Sequence, residues 1–234
     1  MPEEIPERLA RVRERVARAA ERAGRGPEEI RLIAVSKTVD PLVVQRAADF
    51  GVRDLGENRV QEAVGKAQKV KADGLRWHLI GHLQSNKARQ AVSTFDVIHT
   101  IDTVDLARRL DRIASEEGKR PLVLVQVDLA HEPTKSGADE SELPEIVEAL
   151  EAAQNLDFRG LMTMPPFFDE PELGRGYYKR LREILGNLNR GRAPQRLLTE
   201  LSMGMSHDFE VAIEEGATMV RVGTAIFGPR ENRP

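Results

Sequence analysis

The sequence predicts an α/β chain folded as one (β/α)8 TIM-type barrel with an extra N-terminal helix. Three observations carry that expectation. Eight short apolar runs alternate with amphipathic stretches, the pattern of parallel strands joined by crossover helices. Polar residues gather at the carboxyl ends of these runs, where a parallel barrel does its chemistry. No G-x-G-x-x-G fingerprint accompanies the runs, which weakens an open, doubly wound sheet as the competitor.

The elements follow in order. Leu9, Val12, Val16, Ala19 and Ala20 share one helical face over residues 5–23, and Gly24-Arg25-Gly26-Pro27 ends that helix. Strands are expected at 31–37, 52–58, 76–81, 97–102, 122–128, 158–164, 197–203 and 219–227. Helices are expected at 41–50, 59–69, 103–117, 140–154, 174–189 and 208–215, with a shorter one at 85–92. Residues 165–171 contain three prolines and read as a semi-rigid loop. No composition break divides the chain, so residues 1–234 are expected to form one domain: a helix over 1–25 and a barrel over 31–228.

Composition sets limits on function. With 40% hydrophobic but only 4% aromatic residues, the core must be largely aliphatic. The 35 basic and 38 acidic residues nearly cancel, so no global field draws nucleic acid or an anionic membrane. The arginines between Arg8 and Arg15 alternate with Glu14 and apolar residues and read as a solvated helix face. The absence of cysteine removes disulfides, thiolate metal sites and cysteine nucleophiles. The acidic start Met1-Pro2-Glu3-Glu4-Ile5 has no apolar stretch, and no run approaches the ~18 apolar residues of a membrane span. A cytoplasmic protein is the expectation.

The candidate chemistry lies at the strand ends. Lys37 closes the run Arg31-Leu32-Ile33-Ala34-Val35-Ser36, and alternation puts Ile33, Val35 and Lys37 on one face. A partly desolvated amine there suits a Schiff base with an aldehyde; a solvated loop lysine or a plain phosphate contact is the bland alternative. Ser202-Met203-Gly204-Met205-Ser206 joins a strand to a helix and offers backbone N–H groups to an anion, while Ser206 or Asp208 could equally cap that helix. Arg221-Val222-Gly223-Thr224 repeats the arrangement after the eighth run, and barrels often bind phosphate with their last two loops. Arg221 stands among Met219, Val220 and Val222, so its charge needs a ligand or a carboxylate such as Glu200. His78, His82, His99, His131 and His207 show no metal-binding spacing, and no G-x-S-x-G elbow is present.

Taken together, Ala34-Val35-Ser36-Lys37-Thr38, Gly56-Glu57-Asn58-Arg59-Val60-Gln61-Glu62, Trp77-His78-Leu79-Ile80-Gly81-His82-Leu83-Gln84-Ser85-Asn86-Lys87, Ser202-Met203-Gly204-Met205-Ser206 and Arg221-Val222-Gly223-Thr224-Ala225-Ile226-Phe227-Gly228 resemble the pyridoxal phosphate homeostasis protein family, nearly along the whole chain. The resemblance implies the alanine-racemase N-terminal barrel and a bound pyridoxal 5′-phosphate (PLP). It implies Lys37 as the Schiff-base lysine, Asn58 beside the cofactor, Met162 near its ring, Ser202, Gly223 and Thr224 on the phosphate with backbone help near Gly204, and Arg221 facing the pyridine nitrogen. Glu132-Pro133-Thr134-Lys135-Ser136-Gly137 fits the family's loop after the fifth strand, with Asp128 where many relatives would have Asn.

An arginine opposite the pyridine nitrogen resists its protonation and makes the ring a weaker electron sink. A cofactor-holding protein that buffers vitamin B6 is therefore the leading expectation, with PLP-dependent apoenzymes as possible recipients. An amino-acid racemase using Lys37 is the alternative, and a phosphosugar enzyme is a third reading. The chain has no room after the eighth strand for the second domain of the related alanine racemases, so a monomer is expected. Its tyrosines, Tyr177 and Tyr178, are expected to pack rather than react.

Overall fold

The computed structural model describes residues 4–131 and 136–229. The predicted loop residues Glu132, Pro133, Thr134 and Lys135 lie outside them. The chain runs α1 (Ile5–Arg22), β1 (Arg31–Val35), α2 (Pro41–Asp49), β2 (Asp54–Glu57), α3 (Val60–Ala67), β3 (Arg76–Leu79), α4 (Ala88–Thr94), β4 (Val97–Ile101), α5 (Val104–Glu117) and β5 (Leu122–Gln126). It continues α6 (Leu143–Ala152), β6 (Asp157–Met162), α7 (Arg175–Leu188), β7 (Glu200–Met205), α8 (Phe209–Glu214), β8 (Met219–Val222) and α9 (Thr224–Phe227). The eight strands close in sequence order, with every neighbouring pair parallel. This is the predicted barrel.

Alternation divides each strand between two environments. Ala34, Leu55, Leu79, Val123, Val125, Leu161 and Val220 pack in the main core with the helices, while Ile33, Leu124, Met162 and Met219 form a separate apolar cluster. Gly56 is tightly placed between Ile33 and Ile80: a Cβ there would stand 2.9 Å from Ile33 Cγ2 and 3.1 Å from Ile80 Cδ1. The extra helix α1 buries Leu9, Val12, Val16, Ala19 and Ala20, as the spacing predicts. Arg15–Glu210 at 2.6 Å and Arg22–Glu214 at 2.7 Å tie it to α8. A cavity of about 970 Å³ lies between α1 and the strand starts, with Arg31, Asp54, Arg76 and Glu200 on its wall.

Several predicted boundaries move. Most strands stop before their predicted carboxyl ends, while the seventh runs on to Met205. The seventh strand starts at Glu200 rather than 197. The Asn189 side chain takes both backbone groups of Leu198, accepting from its N–H at 2.9 Å and donating to its carbonyl at 2.8 Å, so Leu198 cannot join the ladder. Residues 224–227 are a helical turn, not the end of a strand, since the amides of Ile226 and Phe227 both donate to the Gly223 carbonyl at 2.9 Å.

Candidate active site at the barrel mouth

Lys37 sits just past the end of β1, in a turn with Ser36 and Thr38. Its backbone is set by a buried clamp. Ser36 Oγ donates to Glu57 Oε1 at 2.6 Å, and Lys66 Nζ donates to that same oxygen at 2.7 Å and to the Ser36 carbonyl at 2.5 Å. Lys66 also reaches Glu62 Oε1 at 2.7 Å, and the Thr38 amide donates to that oxygen. Thr38 adopts a φ of 65°, a left-handed conformation that a β-branched residue rarely takes. The clamp thus holds a strained turn directly beside the amine. Burial pushes the Glu57 carboxyl above its ordinary range, against the pull of Lys66 and Ser36. Its second oxygen, Oε2, is buried without a hydrogen-bond partner.

A second polar assembly crosses the barrel interior. Asp54 Oδ1 lies 2.8 Å from His78 Nε2, His78 Nδ1 is 3.0 Å from His99 Nε2, and His99 Nδ1 is 2.9 Å from Ser202 Oγ. Arg221 Nη1 donates to Ser202 Oγ at 2.7 Å, and Nη2 donates to the Thr163 carbonyl at 2.9 Å. All but Asp54 and Arg221 are at or below 1% exposed. Burial holds His78 below its ordinary value against the pull of Asp54, and holds His99 well below it, helped by the nearby His78, Arg221 and Arg31 charges. Burial also pushes Arg221 down to about 10, opposed by Tyr178 and Asp208. Arg221 does not pair with Glu200, the carboxylate suggested by sequence. Glu200 Oε2 instead accepts from Thr218 Oγ1 at 2.7 Å.

The rim is built by the loops after β7 and β8. Gly223 N–H donates to Ser206 Oγ at 3.1 Å, which joins the two predicted anion cradles into one. Gly204 has a φ of 89°, and a Cβ there would meet Ala212 Cβ at 2.5 Å; it lets α8 pack against β7. Asp208 accepts from Met205 N–H and from the Tyr178 hydroxyl, both at 2.6 Å, so neither Ser206 nor Asp208 is a simple helix cap. The cross-strand register pairs Ile33 with Arg221 and Ala34 with Val222. The Lys37 turn and Gly223-Thr224 therefore leave adjacent, hydrogen-bonded strands at the same end.

The other predicted site residues fall as follows. Asn58 is half-buried just past β2. The loop after β3 passes it so closely that a Cβ on Gly81 would lie 2.3 Å from the Asn58 carbonyl oxygen. Met162 is wholly buried in the cluster with Ile33, Leu124 and Met219, and Met164 packs against that cluster while partly exposed. Ser202 is fully buried with its hydroxyl engaged by His99 and Arg221, below the rim where Ser206 stands. His82 Nδ1 lies 3.6 Å from Asp102, and His207 Nε2 lies 2.9 Å from the Asp169 carbonyl. The clamp on Lys37 and the paired His78 and His99 went unnoticed in the sequence. Strand alternation was the available signal, since it separates His78 from its core-facing neighbours Trp77 and Leu79.

The donor set at the mouth combines one amine, a hydroxyl and amides on a shared rim, and a buried guanidinium. It fits a small phosphorylated aldehyde: the amine for the carbonyl carbon, the rim for the phosphate, the guanidinium for a ring acceptor. The fold and this site define a class, the parallel barrels that carry a lysine in the turn after their first strand and an anion rim after their last. The alanine racemase N-terminal domain matches residues 8–231. The chain belongs to the family of pyridoxal phosphate homeostasis proteins built on that domain. It is 44% identical over 225 residues to the pyridoxal phosphate homeostasis protein of Aquifex aeolicus, covering 96% of this chain and 98% of that one. It is 42% identical to that of Escherichia coli K12 over 233 residues, covering 97% of each. PipY of Synechococcus elongatus, solved with PLP bound, superposes with a TM-score of 0.84 at 42% identity, covering 96% of this chain and all of that one (100%). An alanine racemase of Clostridium difficile shares the fold, with a TM-score of 0.68 at 17% identity.

Proposed function

We propose that this protein binds PLP at the barrel mouth, carries it on Lys37 as a Schiff base, and holds and releases it to buffer the free cofactor in the cell. The observation that carries this reading is the register of β1 against β8, which brings the Lys37 turn and the Gly223-Thr224 rim to neighbouring positions. The PLP-bound PipY structure supports the same choice of ligand.

Each residue has a defined task. Lys37 supplies the amine, and the clamp of Glu57, Lys66 and Glu62 fixes the turn that presents it. Ser206, with Gly223 and Thr224, holds the phosphate. The resemblance implies Ser202 on the phosphate; its hydroxyl, which accepts from Arg221 Nη1 at 2.7 Å, supports a role in steadying Arg221 from below. Arg221 meets the pyridine nitrogen as a donor, and Asn58 lies beside the ring. The bound group supplies an electrophilic carbonyl and a conjugated ring.

The racemase alternative requires a second acid facing Lys37 across the ligand. Tyr178 is buried, its hydroxyl donates to Asp208 at 2.6 Å, and burial pushes its pKa upward. It is a structural group. A monomeric carrier, with apoenzymes as recipients, fits this arrangement.

Addition of PLP should produce a visible imine band, and borohydride should trap the adduct on the peptide containing Lys37. Lys37→Ala should abolish the band while keeping some noncovalent binding; a persisting band would place the imine elsewhere. Ser206→Ala with Thr224→Ala should weaken PLP binding about tenfold or more and leave pyridoxal nearly unaffected. Incubation with single amino-acid enantiomers in deuterated water should show no sustained turnover with α-deuterium incorporation; clear turnover would replace the carrier by a racemase.

A further inference from the structure

The hydrogen bonds from Asp54 to Arg221 admit one direction only. Arg221 can only donate, and an ionised Asp54 can only accept. Burial raises the Asp54 carboxyl, but the bonds and charges of His78 and Arg76 outweigh it and hold the group below its ordinary value. Asp54 is gripped from outside the barrel as well, by Arg76 Nε at 2.9 Å and Nη2 at 3.0 Å. Start from that end. His78 Nε2–H donates to Asp54, so Nδ1 of the neutral ring accepts. His99 Nε2–H supplies that bond, so its Nδ1 accepts in turn. The Ser202 hydroxyl supplies the next proton, and its oxygen is left to accept from Arg221. The Ser202 oxygen can accept the Arg221 proton while its hydroxyl donates to His99, so no link is frustrated.

We propose that Asp54, His78, His99 and Ser202 are positioning residues: a one-way hydrogen-bond relay, anchored at the strand starts, that fixes the Arg221 guanidinium beneath the mouth. The relay lies across the barrel, linking β2, β3, β4, β7 and β8. Its outer end, Asp54, borders the cavity beside α1, and its inner end is the buried Arg221 guanidinium. Arg221 has neutral acceptors on both Nη atoms, Ser202 Oγ and the Thr163 carbonyl, so neighbouring dipoles rather than a contacting carboxylate set its orientation. Protonation of either imidazole would make both its nitrogens donors. Ser202 would then have to accept from His99 and Arg221 together. The relay therefore works only with both rings neutral, the state that burial favours.

The role assigned to Arg221 rests on the PLP reading above, but the relay can be tested without ligand. In the ligand-free protein, imidazole 15N shifts should show His78 and His99 as neutral Nε2–H tautomers. Asp54→Asn, two rings away from Ser202, should change the His99 tautomer balance, as should Ser202→Ala. A His99 ring found as Nδ1–H in the unaltered protein overturns the relay. With PLP bound, Asp54→Asn should shift the visible absorption maximum in the same direction as Ser202→Ala and weaken binding about tenfold, the loss of one hydrogen bond to a charged donor. An unchanged band and affinity beside a lowered melting temperature would reduce these residues to packing. Failure of the unaltered protein to bind PLP would refute the proposed function alone, because the tautomer result still decides the relay. If Asp54→Asn does not fold, Ser202→Ala carries both measurements.

Discussion

The turn that bears Lys37 and the strand that bears Arg221 are held by buried polar groups of opposite construction. Beneath Lys37, one ammonium sits between two carboxylates, and Glu57 Oε2 has no hydrogen-bond partner. Beneath Arg221, two neutral imidazoles and a hydroxyl pass one direction of hydrogen bonding along, and every link has both ends. Charge fixes the first and dipole order the second. Cutting the clamp strands a buried ion; cutting the relay misaligns neutral groups, at lower cost.

The largest expected effect comes from the clamp. Lys66→Met should cost about 3–5 kcal/mol in denaturant titration, because two carboxylates lose their shared cation. Adding Glu57→Leu should recover part of that loss. A cost of only about 1 kcal/mol, in the range of an exposed pair, would show that the clamp is hydrated rather than buried.

The next effect is in pH, where the two groups have opposite signs. His78 and His99 are held below the ordinary value of 6.5 when folded. Between that folded value and 6.5 the unfolded chain binds more protons, so their contribution is complete above about pH 6.5 and is lost on acidification. Glu57 is held above its ordinary value of 4.5. There the folded chain binds more protons, so its contribution is lost as pH rises from 4.5 towards the folded value. Glu57→Gln removes only the second slope. It should steepen the fall in stability between pH 7 and pH 5 in denaturation measured at several pH values. An unchanged slope would count against this division.

The smallest effect concerns the strain beside the amine. Thr38→Gly relieves the unfavourable φ but frees the unfolded chain. Melting should show a net change of about 1 kcal/mol or less. A large loss would mean that the Thr38 side chain, rather than its amide on Glu62, secures the turn.

The barrel was readable because its signals are local. Runs such as Leu122–Gln126 are apolar and β-branched, and the spacing of Leu9, Val12 and Val16 can only be one face of a helix. The strand ends were overestimated because apolar residues continue past the last ladder bond, as Ala225, Ile226 and Phe227 do in the turn after Gly223. Lys37, Arg221 and Gly223 could be singled out because each is an exception within its own segment: a charge or a glycine in or at the end of an apolar run.

Which serine serves which purpose was not readable. Ser202 and Ser206 are four residues apart in one motif, and either could have met an anion. The proposed division of labour rests on the closed sheet. It points Ser202 inward at His99 and Arg221 and leaves Ser206 on the rim beside Gly223. The sequence by itself determined the fold class and the residue types at the mouth, because periodicity and local exceptions are properties of short segments. The partnerships of His78 with His99, His99 with Ser202, Ser202 with Arg221, and Lys66 with Ser36 and Glu57 were decided only by tertiary structure. They join side chains 19 to 103 residues apart, or bring a strand's end against the next helix. Only barrel closure, which sets strand register and facing, brings those atoms within bonding distance.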